Sequence, residues 1–282
     1  MTRPTCPHPA RFGVFDSGLG GLSVLKALRQ RLPASELIYV ADSGHAPYGE
    51  RSDAFIQQRS EVVARFLVEQ QIDVLVIACN TATAVAAQSL RAQWPDLPVV
   101  GVEPGLKPAV AQSAQGRVGV LATEGTLRSE KFQRLAASFA DQATLVLQAC
   151  PGLAGAIEAG DVDALAVRER VEACCAPLRQ QQVDTVVLGC THYPFVAHHI
   201  QAALGSDVTL IDTAEAVARQ AERLHLAMPA KGHSSSRSSN ARTPSGALAV
   251  QLYTSGSVTG LRDIANRWLD FDCEVSMLPM PR

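Results

Sequence analysis

Short runs of consecutive apolar residues alternate along this chain with longer stretches in which apolar positions recur every three or four residues. The runs at 12–15, 37–40, 74–78, 99–102, 118–121, 144–147, 185–188, 208–211 and 248–253 predict strands buried on both faces. The stretches at 22–31, 54–69, 84–93, 130–138, 164–180, 195–204, 214–226 and 261–269 predict amphipathic helices between them. Apolar strands each followed by a helix define the α/β class, with mainly parallel sheets covered by helices on both faces. Residues 231–246 break the pattern. They read KGHSSSRSSNARTPSG, with six serines and no aliphatic anchor, and predict a flexible surface insertion.

The pattern also repeats. RFGVF at 11–15 resembles RVGVL at 117–121, an offset of 106 residues, and IDVLVIAC at 72–79 resembles VDTVVLGC at 183–190, an offset of 111. In each copy of the second segment an aspartate (Asp73, Asp184) stands six residues before a cysteine (Cys79, Cys190), and a threonine (Thr81, Thr191) follows closely. Buried strands all look alike, but chance would less easily give them the same Asp, Cys and Thr. The repeat predicts two similar α/β domains, pseudo-symmetric about a central cleft: residues 11–103 with 209–282, and residues 104–208.

Composition narrows the class. The chain has 282 residues, a net charge of −2 and 47% hydrophobic residues, which suits a globular protein and not a disordered one. A net charge near zero gives no general basic field, so nucleic acid is not expected as a primary partner. Apolar runs such as 74–78 and 183–188 fall far short of the roughly 20 residues that span a bilayer. The first nine residues, MTRPTCPHP, lack the apolar core of a secretory signal and predict a frayed tail. The expectation is a cytoplasmic protein without a membrane segment. Its seven cysteines (6, 79, 150, 174, 175, 190 and 273) are odd in number and include no C-x-x-C, so neither a disulfide framework nor a metal site is expected. Most should be reduced, buried, small hydrophobes.

In open α/β sheets ligands bind beyond the carboxyl ends of the strands. Four polar segments fall there: Asp16-Ser17-Gly18-Leu19-Gly20-Gly21, Asp42 through Pro47-Tyr48-Gly49, Cys79-Asn80-Thr81, and Cys190-Thr191-His192-Tyr193-Pro194. The glycines match neither G-x-G-x-x-G nor a P-loop, and suit a tight turn that brings backbone N–H groups to a small anion. A cysteine between a strand and a helix N-terminus should have a lowered pKa; moving it from ~8.5 to about 7 requires ~2 kcal/mol of thiolate stabilisation. Facing duplicated lobes would put Cys79 and Cys190 on opposite walls of one cleft. Inverting a carbon centre needs a base on one face and an acid on the other, and two near-equivalent thiols match that need.

The set Asp16-Ser-Gly-x-Gly-Gly, Pro47-Tyr-Gly, Cys79-Asn-Thr and Gly189-Cys-Thr-His-Tyr-Pro resembles the glutamate racemases of the aspartate/glutamate racemase superfamily. The resemblance runs from about Phe12 to the C-terminus and includes Cys150-Pro, Ile157-Glu158 and Leu252-Tyr-Thr-Ser-Gly. It implies cofactor-independent interconversion of L- and D-glutamate for peptidoglycan, by a chain that commonly forms homodimers. It makes Cys79 and Cys190 the proton donor/acceptors, acting on D- and L-glutamate respectively. Asp16, Ser17, Tyr48, Gly49, Asn80, Thr81, Thr191 and His192 would bind substrate, with Asp16, His192 and Glu158 assisting the thiols. Ala46 before Pro47 and the serine-rich insertion depart from the shared pattern.

Other readings of the residues stay open. Cys190 with His192 could act as a single nucleophile–base pair in a covalent isomerase or hydrolase. The substrate could be aspartate or another amino acid, and a cleft between α/β lobes also suits a carboxylate sensor. Asp73 and Asp184, one strand length below the cysteines, should cap or pair at the strand bottoms. His198 and His199 should be surface residues, and Cys6, Cys150, Cys174, Cys175 and Cys273 structural.

Overall fold

The computed structural model describes residues 9–228 and 250–279. The insertion at 231–246 and Cys6 therefore lie outside the described residues, as does most of the N-terminal tail.

Four parallel strands come first: β1 (Arg11–Asp16), β2 (Glu36–Ala41), β3 (Val74–Ile77) and β4 (Val99–Gly101). Between them run α1 (Leu22–Arg31), α2 (Asp53–Glu69) and α3 (Asn80–Gln93). After α4 (Leu106–Gln112) a second set follows: β5 (Arg117–Ala122), β6 (Thr144–Ala149), β7 (Thr185–Gly189) and β8 (Thr209–Ile211). Its intervening helices are α5 (Glu124–Arg128), α6 (Glu130–Ala137), α7 (Leu153–Glu158), α8 (Leu165–Gln180) and α9 (Ala197–Leu204). The chain then crosses back through α10 (Ala214–Ala227), which packs on α1, and ends with β9 (Val250–Thr254), α11 (Val258–Trp268) and β10 (Cys273–Met277).

The strands form two all-parallel sheets, ordered β10-β9-β2-β1-β3-β4 and β6-β5-β7-β8. The order 2-1-3-4 of the first lobe recurs in the second. Register carries the same relation: Phe12 lies opposite Val74, Val118 lies opposite Thr185, and the two pairs are separated by the sequence offsets of 106 and 111 residues. The central strands β1, β2, β3 and β7 are wholly buried, as their unbroken apolar runs require.

The structure corrects several sequence expectations. β8 pairs with β7, so the first residues past 208 extend the second sheet, and the return to the first begins after Ile211. β10 was not expected, because Cys-Glu-Val-Ser-Met on a half-exposed edge has no apolar run. The short helices α4, α5 and α7 lack the length to show a helical period. α3 begins at Asn80 and not at 84, because Cys79 is its N-cap and the polar first turn Asn80–Thr83 is buried. A 3₁₀ turn over Tyr193–Val196 precedes α9, with Pro194 in its first positions.

The two repeat aspartates lie where the spacing puts them. Asp73 Oδ2 accepts from the N–H of Arg11 (2.9 Å) at the foot of β1. Asp184 accepts from Ser113 Oγ (2.6 Å) and the N–H of Gln115 (2.7 Å), just before β5. Asp73 is 6% exposed, whereas the Gln115 bond lies at the surface. Asp73→Ala is therefore expected to lower the unfolding free energy by about 1–3 kcal/mol, the cost of an orphaned buried donor. Asp184→Ala should cost clearly less, because water can replace its carboxylate. Urea midpoints check the pair, and equal losses would contradict the argument.

Candidate functional site

The carboxyl ends of β1, β3, β5 and β7 converge where the two lobes meet. In the first lobe Cys79 ends the β3 segment in an extended conformation and caps α3, its Sγ accepting from the N–H of Ala82 at 3.4 Å. Ser17 Oγ lies 3.8 Å from the same sulfur. Ser17 in turn donates its N–H (2.6 Å) and hydroxyl (3.1 Å) to Asp16 Oδ1. Thr191 of the second lobe donates to Asp16 Oδ2 at 2.9 Å. This chain leads from the wall of one thiol to the wall of the other.

The helix end does not decide the state of Cys79. Burial pushes its thiol well above the usual cysteine range, the Asp16 and Cys190 charges push the same way, and the Ala82 N–H offsets only part. The expected lowering is thus overturned, because a helix terminus cannot match the loss of water around a thiol that is 5% exposed. Burial likewise raises the Asp16 carboxyl, against the pull of His192 and Thr191.

Cys190, 7% exposed, has different partners. The backbone after it makes a 3₁₀ turn and not an α-helix, so no long helix dipole points at the sulfur. His192 Nδ1 lies 3.7 Å from Cys190 Sγ, and its Nε2 is 2.7 Å from Glu158 Oε2. Burial works against the imidazolium, yet Cys190 and Glu158 together hold it well above the usual histidine range. Burial would raise Glu158, but His192, the Leu19 N–H and Ser43 hold its carboxyl low. Those last two bonds, 2.8 Å from Leu19 N and 2.7 Å from Ser43 Oγ, come from the first lobe.

The glycines permit this approach. A Cβ on Gly18 would occupy the space of the Glu158 carboxylate, and one on Gly20 that of His192 Nδ1, Thr191 Oγ1 and Asp16 Oδ2. Tyr39 steadies the loop by donating its hydroxyl to the Gly18 carbonyl at 2.5 Å. Gly49 abuts Thr123 across the lobes, where an added Cβ would lie 2.8 Å from the threonine Cβ.

The remaining expected residues line this junction. Thr81 Oγ1 is 3.1 Å from Thr123 Oγ1 and 3.4 Å from Thr126 Oγ1, a cluster of three hydroxyls spanning the lobes. Asn80 is buried with its side-chain Nδ2 lacking a hydrogen-bond partner. Tyr48 is buried, and its hydroxyl donates to Asp42 at 2.6 Å. Asp42 also accepts from Arg59 Nε (3.0 Å), Arg59 Nη2 (2.9 Å) and Ser255 Oγ (2.7 Å). Despite burial, those bonds hold its carboxyl below the usual range, and they fix the Pro47-Tyr48-Gly49 turn.

Thr123 and Thr126 were missed from sequence. The 106-residue offset maps Ser17 onto Thr123, so the repeat carried that signal. Asp42 was noticed only as part of a strand-end segment, because nothing local reveals an arginine 17 residues away as its partner. Among the described cysteines outside this site, Cys150, Cys174 and Cys175 are buried and Cys273 is half-buried. A cavity of about 720 Å³ bordered by Leu19, Ser43, Glu158 and Gly256 reaches the outer side of Glu158. Among the described residues no helix is long and apolar enough to cross a membrane.

Two like α/β lobes closed over a pair of thiols, each at the same strand end of its own lobe, define a duplicated α/β protein with its site at the lobe junction. Residues 20–221 match the family described as Asp/Glu/Hydantoin racemase, and the chain belongs to that family. It is 51% identical over 215 residues to the glutamate racemase of Pseudomonas paraeruginosa (strain DSM 24068 / PA7), an alignment covering 76% of this chain and 81% of the relative. Escherichia coli glutamate racemase, solved in complex with L-glutamate and the activator UDP-MurNAc-Ala, superposes with a TM-score of 0.82 at 32% identity, covering 96% of this chain and 98% of that one. A glutamate racemase isoform from Bacillus anthracis superposes with a TM-score of 0.81 at 31% identity over 96% and 98% of the two chains.

The Glu158–His192 pair gives a prediction with a definite sign. A raised histidine pKa stabilises the fold fully below the unfolded value of about 6.5 and loses that contribution as pH rises through the folded value. A lowered glutamate pKa stabilises above about 4.5 and loses its share as pH falls through the folded value. Glu158→Gln removes the anion, so the His192 titration followed by imidazole NMR should move down, and stability should fall most between about pH 4.5 and 6.5, where both contributions are complete. An unmoved His192 titration would show that Glu158 does not hold the proton there.

Proposed function

We propose that the protein is a cofactor-independent glutamate racemase working by two-thiol proton transfer. The observation that carries this reading is the pairing of equivalent strand-end thiols with non-equivalent neighbours, Ser17 and Asp16 beside Cys79 but His192 and Glu158 beside Cys190. For D-glutamate, the Cys79 thiolate takes the α-proton, and the Cys190 thiol delivers its own proton to the opposite face of the carbanion. For L-glutamate the roles reverse. Each turnover leaves the two sulfurs with exchanged protonation states, and His192 can relay protons at Cys190.

Ser17, Tyr48, Gly49, Asn80, Thr81, Thr191, His192 and Asp16 form the binding set in this reading, joined by Thr123 and Thr126. The unpartnered Asn80 Nδ2 and the threonine hydroxyls supply donors for carboxylates, and Asp16 suits an ammonium. Both thiols are almost sealed, so substrate enters when the lobes part and reacts when they close. The 51% identity to a protein named glutamate racemase favours glutamate over aspartate; a single methylene separates the two by only about 1–3 kcal/mol in a pocket. The physiological role that follows is supply of D-glutamate for peptidoglycan in the cytoplasm, by a chain of two domains that acts as a homodimer.

Cys79→Ser and Cys190→Ser should each lower turnover by about 10²–10⁴-fold, the usual scale of a lost acid/base group. In heavy water the early product should carry solvent deuterium while recovered substrate does not. Circular dichroism of enantiopure glutamate and mass spectrometry of both pools read the outcome. Near-normal turnover in Cys79→Ser would favour the single-cysteine Cys190–His192 alternative, and deuterium appearing first in the substrate pool would argue for one shared base.

A further inference from the structure

Away from the thiols, three side chains converge on one point at the surface of the second lobe. Asp163 lies in the loop between α7 and α8, and His198 and His199 lie on the first turn of α9. His199 Nε2 is 3.0 Å and His198 Nε2 is 3.4 Å from the same oxygen, Asp163 Oδ1. All three candidate ligand atoms lie within 4.8 Å of one another. Adjacent helical residues ordinarily point in different directions. Here the two imidazole centroids are only 3.9 Å apart, so both rings turn toward a common target. Within that loop the N–H of Asp163 donates to Asp161 Oδ1 at 3.1 Å.

We propose that Asp163, His198 and His199 bind a divalent late transition ion of the Zn²⁺ class. Two imidazoles and a carboxylate are the donors such ions prefer, with water completing the sphere. The spacing fits. Metal–ligand bonds of about 2.0–2.2 Å meeting at tetrahedral to right angles place ligand atoms about 2.8–3.6 Å apart. The two N···O separations, 3.0 and 3.4 Å, lie within that range, and side-chain rotations can bring the two imidazole nitrogens, which lie within 4.8 Å of each other, onto a shared ion. All three groups are within reach of solvent, with side-chain exposures of 62%, 56% and 16% for Asp163, His198 and His199.

Position gives the ion a structural consequence. Asp163 follows α7, whose last residue is Glu158, and the histidines follow the turn that starts after His192. An ion here staples the Glu158 segment to the His192 segment from outside, without touching either thiol.

The test uses tag-free full-length protein stripped of metal and kept reduced. Calorimetric titration with Zn²⁺ should show one site per chain that weakens about tenfold or more in His199→Gln and in Asp163→Asn, with the thermal midpoint raised by Zn²⁺ only in the parent protein. Co²⁺ in place of Zn²⁺ should give visible ligand-field bands with no thiolate-to-cobalt charge transfer. Metal-free variants that melt with the metal-free parent confirm that folding is intact. Zn²⁺ affinity unchanged in both variants, no measurable Zn²⁺ binding by the parent, or a cobalt thiolate band as the dominant signal would each overturn the site, the last by assigning the ion to cysteines.

Discussion

The Glu158 carboxylate is the tie on which the site's geometry depends. It belongs to the second lobe, yet it accepts from the N–H of Leu19 and the hydroxyl of Ser43 in the first, while its remaining capacity goes to His192. A carboxylate taken from water in this way is stable only when its lone pairs are met and a positive charge is near. Both conditions hold, and the first requires the lobes to be closed, because Leu19 and Ser43 lie in the first lobe whereas His192 shares the second lobe with Glu158. A Cβ on Gly18 would occupy the place of the Glu158 carboxylate, and one on Gly20 would displace His192. One contact therefore couples lobe closure, the orientation of His192 and the surroundings of Cys190.

The pseudo-symmetry of the fold stops at the side chains. Strand order and register match between lobes, but Asp16 of β1 corresponds under the 106-residue offset to Ala122, and Thr81 corresponds under the 111-residue offset to His192. Each thiol thus has neighbours of its own kind, Ser17 beside Cys79 and His192 beside Cys190. Equal free energy of two enantiomers in solution does not require equal treatment of their enzyme-bound forms; it requires only that the forward and reverse barriers share one transition region. For the proposed racemisation, a duplicated scaffold with divergent neighbours would meet that requirement, since the backbone fixes the two strand-end positions and the side chains around each differ.

Most of the architecture was legible because buried parallel strands write themselves as apolar runs, and the repeated Asp–Cys spacing exposed the duplication. Cys79, Cys190 and the strand-end loops followed from that. What stayed hidden had little or no local signature. β10 carries Glu274 and Ser276 on an exposed edge, and Asp42 depends on Arg59 and Ser255, brought to it only by folding. The electrostatics failed for a related reason. A helix start beside Cys79 is visible in sequence, whereas how completely folding excludes water from it is not, and exclusion is the larger effect.

That larger effect also bears on how such a site could work. A thiol held above its ordinary range is a poor source of thiolate, so on the two-thiol proposal the base has to be formed after substrate arrives. On the proposed function, the ammonium group of an amino acid held beside Cys79 and Asp16 would favour the thiolate and the carboxylate alike. The same low-dielectric surroundings that penalise an isolated anion strengthen its attraction to that cation. On the two-thiol proposal, burial is then no obstacle to proton abstraction but the means by which the base would be formed only in the presence of the molecule it acts on.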